Sequence, residues 1–306
     1  MIEVVRAGPQ STIQDLGRTP WRDRGLSRCG ALDDVALQAG NLLLGNPPDA
    51  AGLEFTLGAA TLRFHADTWV ALTGTDADAH LDGQPVRPGW RCAVRAGQQL
   101  KLAAPRERMR SYVTVAGGID VPAALGSRST DLKAGFGGLD GRALRDGDRL
   151  PLGAPTRTPT RNAGLRLPDW TPAVRVLPGP EYADFDTASR EAFLAAGWTV
   201  TPQSNRMGYR LAGPALVREH GDELASHGVL PGVVQVPPSG QPIVLLADAQ
   251  TTGGYPKIAV VIRADLWKLA QLRLGATLRF VPCTPEEAVD ALRARQRDLD
   301  AWRYAL

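Results

Sequence analysis

IVLLADAQTTGGYPKIAVVI, residues 243–262, consists of two apolar runs around a polar insert. Ile243–Ala247 and Ile258–Ile262 have the length and β-branched content of buried strands. Between them, Asp248–Lys257 gathers a carboxylate, an amide, two hydroxyls, a phenol and an ammonium around Gly253-Gly254. A hairpin turn needs little more than a Gly-Gly pair with a polar neighbour. The insert therefore reads either as a decorated turn or as a binding loop presented by two strands.

Outward from this loop, the chain keeps a β character. Leu53–Phe64, Trp69–Thr73, Arg91–Val94, Gln99–Leu102 and Ser111–Val115 read as strands broken by Gly, Pro and Asp. With 33 glycines in 306 residues, this pattern predicts a mainly β protein of two β-rich lobes with a few peripheral helices. One helix is expected over Asp33–Gly45, with Asp33 as N-cap and Gly45 as stop. A second is expected over Asp186–Gly197. A third follows the capping box Thr284-Pro-Glu-Glu287, with Val289, Leu292, Leu299 and Trp302 on one face. Residues 156–172 are rich in proline and separate an N-terminal β-rich lobe, 1–155, from a C-terminal lobe, 173–306. The spacing of 52–57 from 111–118 echoes that of 207–212 from 243–254, which points to related lobes or to coincidence.

Composition narrows the function classes. A net charge of +3 gives no footprint for nucleic acid. Arginine greatly outnumbers lysine, which occurs only at 101, 133, 257 and 268, so Lys257 stands out within its loop. Cys29, Cys92 and Cys283 form no disulfide framework, and His65, His80, His220 and His227 lack metal-ligand spacing. No metal is expected. The start of the chain has no signal-peptide pattern, and no run is long enough to span a membrane. A soluble, cytoplasmic protein is expected.

Three other polar segments carry chemistry. Asp15 and Arg18, in Gln14-Asp-Leu-Gly-Arg18, are expected to pair and pin a turn rather than to catalyse. Gly126-Ser-Arg-Ser-Thr130 offers hydroxyls and a guanidinium as an anion or carboxylate cradle, or is an ordinary loop. Arg206, in Ser204-Asn-Arg-Met-Gly208, either contacts a ligand or braces the loop. P-loop, nucleophile-elbow and biotin-acceptor motifs are absent, so ATP or biotin chemistry would depend on another chain.

Taken in order, these segments resemble a known family. They are Gln14–Arg18, Gly30–Asp33, Gly45-Asn46, Leu53-Glu54, Val115–Ile119, Gly126–Thr130, Arg206–Gly208, Gly232–Pro237 and Asp248–Pro256. The chain is similar to the family of 5-oxoprolinase C subunits, also called KipI-antagonist or allophanate hydrolase subunit 2, and to the matching half of the urea carboxylase carboxyltransferase domain. The resemblance implies a cyclophilin-like barrel in the C-terminal lobe. It implies ATP-dependent opening of 5-oxo-L-proline to L-glutamate, together with two further proteins, one KipI-like and one LamB/YcsF-like. ATP would be shared with a partner protein, no biotin would be attached here, and the chain by itself would be inactive. The alternatives are a carboxyltransferase component of a biotin-dependent, urea carboxylase-like system, and a non-enzymatic regulator that binds and antagonises a kinase-inhibitor protein.

For the amide chemistry, Asp248, Lys257 and Arg128 are the candidate catalytic groups, as base or N–H acceptor and as point charges. Gln250, Thr251, Thr252, Gly254, Tyr255, Asp33 and Ser129 are the candidate substrate contacts. Two positions depart from the family. Asn205 replaces an expected Asp and cannot titrate, and Cys29 stands where a small or Ser-like residue is expected.

Overall fold

A computed structural model describes residues 1–75, 77–219 and 224–306, so His220 lies outside the described residues. The chain forms two compact units. One comprises Met1–Arg18, Cys29–Asp169 and Asp298–Leu306; the other comprises Thr19–Arg28 and Trp170–Arg297.

The first unit holds two six-stranded sheets. Apolar side chains that alternate along their strands meet in one core, including Ile2, Val4, Leu53, Phe55, Leu62, Phe64, Leu72, Leu100 and Val113. The expected Leu53–Phe64 strand is two strands, Gly52–Thr56 and Ala60–Phe64. Leu57 and Ala59 break it by taking positive φ, at 55° and 120°. Helix α1 spans Asp34–Leu44; Asp33 caps it by accepting from the Ala36 N–H at 2.8 Å, and Gly45 ends it in the left-handed conformation. Below it lies a buried polar network. The Tyr112 hydroxyl donates to Glu54 Oε2 at 2.6 Å, Leu32 N–H donates to the same oxygen at 3.0 Å, and Arg110 lies 3.6 Å from Oε1. Burial, with the Glu54 and Asp33 carboxylates, holds the Tyr112 phenol well above its usual range, so it remains a donor.

The second unit is built on a closed barrel of seven strands. Around the barrel they run Ala173–Pro178, Lys257–Val261, Val233–Gln235, Ile243–Leu245, Gly208–Ala212, Trp198–Val200 and Thr277–Pro282. Parallel pairing of Thr277–Pro282 with Ala173–Pro178 closes the ring; the other pairs are antiparallel. Helix α2, Thr187–Ala195, packs on it through Phe193, whose ring stacks 4.4 Å from Phe280. The fold is thus mainly β with few helices. Gly52–Thr56 lies antiparallel to Arg110–Val115 in the first unit, and Gly208–Ala212 to Ile243–Leu245 in the second.

Two helices complete the chain, α3 over Leu266–Ala270 and α4 over Pro285–Ala305. The capping box forms as expected: Thr284 N–H donates to Glu287 Oε2 at 2.8 Å, and Glu287 N–H to Thr284 Oγ1 at 3.2 Å. The apolar face of α4 does not become a buried seam, because Val289 and Leu292 are exposed. Among the described residues, no helix is long and apolar enough to cross a membrane.

Ahead of α3, Asp265 ties the barrel together by accepting from Arg175 at three places, Nη2 at 2.7 Å, N–H at 2.9 Å and Nε at 3.0 Å. Burial pushes its carboxyl up, but these bonds and the Lys268 ammonium outweigh that and hold it below the usual carboxylate range. The depressed folded-state value means that the contribution to stability is fully present above the unfolded value, about 3.9. It is lost as pH falls through the folded value. Asp265→Asn is therefore expected to lower the melting temperature at pH 7, with the gap from wild type narrowing below about pH 4. Thermal melts from pH 7 to pH 3 check this; a gap that stays constant with pH would refute it.

Candidate functional site

The two apolar runs of 243–262 both enter the barrel, but they are not neighbours. Val233–Gln235 lies between them and pairs with each. The polar insert must therefore cross the end of a third strand, which requires a longer connection than a tight turn. Along the way Thr252–Gly253 pairs with His227–Gly228, and Val229 N–H donates to Thr251 O at 2.9 Å. The insert is thus an ordered loop with a strand of its own.

Ion pairs hold both ends of this loop. At its start, Asp248 is buried and takes a bidentate grip from Arg206, Nε to Oδ2 at 2.8 Å and Nη2 to Oδ1 at 2.9 Å. At its end, Lys257 is buried, and its Nζ lies 3.1 Å from Glu181 Oε2 and 3.4 Å from Tyr255 O. The Lys257 N–H also donates to Glu181 Oε2 at 2.9 Å. Arg206 thus braces the 248–257 loop. Glu181 was not singled out in the sequence; it lies 76 residues from Lys257 and carries no local motif.

Glycines let the loop lie close to its surroundings. A Cβ at Gly253 would come 2.7 Å from Gln235 Nε2, and one at Gly254 would come 2.8 Å from Leu224 O. Gln235 is 1% exposed, and its Nε2 has no hydrogen-bond partner among the described residues, so a buried donor lies directly under Gly253. From the N-terminal side, Ser27 Oγ donates to the Asp248 and Ala249 carbonyls, each at 3.2 Å, and Arg22 Nη2 donates to Val229 O at 2.6 Å. Thr19–Arg28 thereby joins the loop's support.

Beside the loop lies a cleft of roughly 800 Å³. Gly254, Tyr255 and Pro256 form one wall, and Phe185, Arg218, Ser226 and Val236–Gly240 are among the others. Apolar surface with a few polar groups suits a small ligand. Tyr255 is 47% exposed. Arg218 is held by Asp184, Nη2 to Oδ2 at 2.7 Å. Of the residues singled out in the sequence, Gly254 and Tyr255 line the cleft; Asp248, Gln250, Thr251, Thr252 and Lys257 do not.

The other singled-out residues belong to the first unit and have partners there. Ser127 Oγ and Ser129 Oγ donate to Asp15 Oδ1 at 2.6 and 2.5 Å, and Arg128 N–H donates to Oδ2 at 2.5 Å. The Gly126–Thr130 segment thus holds the carboxylate of Asp15, a contact within the fold. Asp15 and Arg18 therefore pin the turn without the expected mutual pair: Arg18 donates to the Ser129 carbonyl and lies 4.6 Å over the Phe136 ring. The Arg128 guanidinium bonds Asp120 at 2.8 Å and Val121 O at 2.7 Å. Asp33 is the α1 cap. Asn205 turns the chain by accepting from Met207 N–H at 2.8 Å, a role an amide fills as well as a carboxylate. Cys29 is fully buried at a φ of 54°.

The chain is thus mainly β, with a closed seven-strand barrel and a polar loop that crosses strand ends. The family described as carboxyltransferase domain, subdomain A and B, matches residues 24–282, and the chain belongs to it. It is 53% identical over 305 residues to the C subunit of 5-oxoprolinase from Escherichia coli K12, covering 99% of this chain and 98% of that protein. It is 45% identical, over the same shares of both chains, to the C subunit of 5-oxoprolinase from Haemophilus influenzae. The solved urea amidolyase of K. lactis superimposes with a TM-score of 0.89 at 28% identity. That match covers 98% of this chain and 20% of the amidolyase, so the chain spans about a fifth of it.

Proposed function

We propose that this chain is the C subunit of an ATP-dependent 5-oxoprolinase that opens 5-oxo-L-proline to L-glutamate in the cytoplasm. The observation that carries the reading is end-to-end identity of 53% to a protein named for that role, against 28% to the urea amidolyase structure. In this reading a KipI-like protein and a LamB/YcsF-like protein complete the enzyme, and the chain by itself does not turn over.

The chemistry sets what the site must do. Amide resonance makes a lactam carbon a poor electrophile. Transfer of a phosphoryl group to the amide oxygen gives an activated imidate and ADP. Water then adds at that carbon, and the C–N bond breaks as the nitrogen takes a proton. The acyl phosphate that remains loses phosphate to a second water. Such steps depend on orientation and on stabilising negative charge.

The 248–257 loop supplies orientation. Its exposed Tyr255, the Gly254 backbone and Ser226 face the cleft, where they can meet an amide N–H and C=O. Asp248 and Lys257, committed to Arg206 and Glu181, act as positioning groups that fix the loop rather than as a free base and a free cation. Gln235, buried beneath Gly253, does not line the cleft and stays under the loop.

The test is co-purification with the KipI-like protein, followed by ATP hydrolysis with and without the LamB/YcsF-like protein in the presence of 5-oxo-L-proline or urea. The assembled complex is expected to hydrolyse ATP in response to 5-oxo-L-proline only. A response to urea alone would move the chain to the carboxylase reading. A stable pair with the KipI-like protein, but no substrate response when the third protein is added, would favour a regulatory role.

A further inference from the structure

We propose that a second cleft, on the first unit, binds a small molecule carrying two or more phosphoryl groups through Arg91, Arg157, Arg161 and Arg303. This cleft has a volume of roughly 570 Å³. Its walls come from the end of α1, the strand holding Arg91, the 157–161 segment and the last turn of α4. Four arginines from three separate parts of the chain line it together with Thr158, Thr160 and Leu306, and among the described residues no Asp or Glu side chain does.

The cluster is not accounted for by the fold. None of the four arginines has an ion pair to a carboxylate among the described residues. The carbonyls that end α1 are already served: Gly45 N–H donates to Leu42 O at 3.0 Å, Asn46 N–H to Asn41 O at 3.0 Å, and Thr156 Oγ1 to Gly45 O at 3.1 Å. Arg91 has a structural task. It is buried and clamps two segments together, Nη1 to Leu43 O at 2.5 Å and Nε to Arg161 O at 3.1 Å. That clamp fixes Arg161 beside Arg91, and the Arg157 stem packs against Gly45. A helix C-terminus offers about half a negative charge, too little to balance four guanidiniums.

Electrostatics agrees with this geometry. Burial lowers the Arg91 pKa, and the nearby charges of Arg157 and Arg161 lower it further, so Arg91 stands in the field of two other cations. An anion between them would offset that field. Planar guanidiniums match phosphate bidentately, and hydroxyls add donors to the remaining oxygens. A single phosphate would leave most of this volume and charge unused. The cleft shares no residue with the 248–257 loop, so the proposal does not depend on the oxoprolinase reading.

The test is calorimetric titration of the full chain, alone and at physiological salt, with phosphate, pyrophosphate, tripolyphosphate, ADP and ATP, and with a hexaglutamate peptide. Arg157→Gln and Arg161→Gln alter exposed side chains, so melting temperatures without ligand should not move. Expected is one site that prefers tripolyphosphate to phosphate. Each substitution should weaken it by roughly tenfold or more, the scale of one charge-assisted hydrogen bond. Equal binding of tripolyphosphate and ATP would place recognition in the phosphates, and tighter binding of ATP would add the nucleoside to the ligand. No binding at millimolar pyrophosphate or tripolyphosphate, or binding untouched by both substitutions, would overturn the proposal. Hexaglutamate binding tighter than tripolyphosphate would overturn it too, assigning the cleft to an acidic protein segment.

Discussion

Arg206→Met is expected to cost about 3–5 kcal/mol of unfolding free energy, the scale of breaking a buried ion pair from one side. The guanidinium is 4% exposed and meets both Asp248 oxygens, so its loss leaves the carboxylate buried without its bidentate partner. Adding Asp248→Leu removes that stranded charge, and the double variant should recover most of the loss, since an apolar pair often replaces a buried ion pair at little cost. Urea denaturation of the single and double variants measures both effects. A single-variant loss below about 1 kcal/mol would mean that this pair does not anchor the start of the loop.

Lys257→Met is the second large effect. The ammonium is 4% exposed and serves Glu181 and the Tyr255 carbonyl, so the single substitution strands a partly buried carboxylate and releases the end of the loop. A loss of about 3–5 kcal/mol is again expected, with recovery in Lys257→Met/Glu181→Leu. The double variant separates structure from chemistry. As a positioning residue, Lys257 should leave turnover of the assembled complex within about tenfold of wild type once stability returns. A loss of about 10²–10³-fold at restored stability would place the ammonium at the developing negative charge instead.

These pairs show what could and could not be read from the chain. Local signals were legible because local physics produces them. Asp33 and Gly45 bound α1, Thr284 and Glu287 form their box, and the apolar runs at 243 and 258 become barrel strands. Gly126–Thr130 read from sequence either as a cradle for a ligand or as an ordinary loop; that its hydroxyls hold Asp15 of the same chain was hidden, because about 112 residues separate the partners. Glu181 was hidden for the same reason. Strand order was hidden as well: nothing near residue 250 shows that Val233–Gln235 lies between its flanking strands. The exposed Val289 and Leu292 of α4 mark the limit of periodicity, which shows where apolar residues fall but not whether anything covers them.

Whether this chain completes an enzyme that opens a lactam is decided by glutamate release from 5-oxo-L-proline. The purified KipI-like and LamB/YcsF-like proteins are supplied with ATP, and glutamate is measured with and without this chain. Glutamate should appear only when the chain is present, in step with ADP. Equal release without it, or none from the complete set while ATP is consumed, would remove the chain from that reaction.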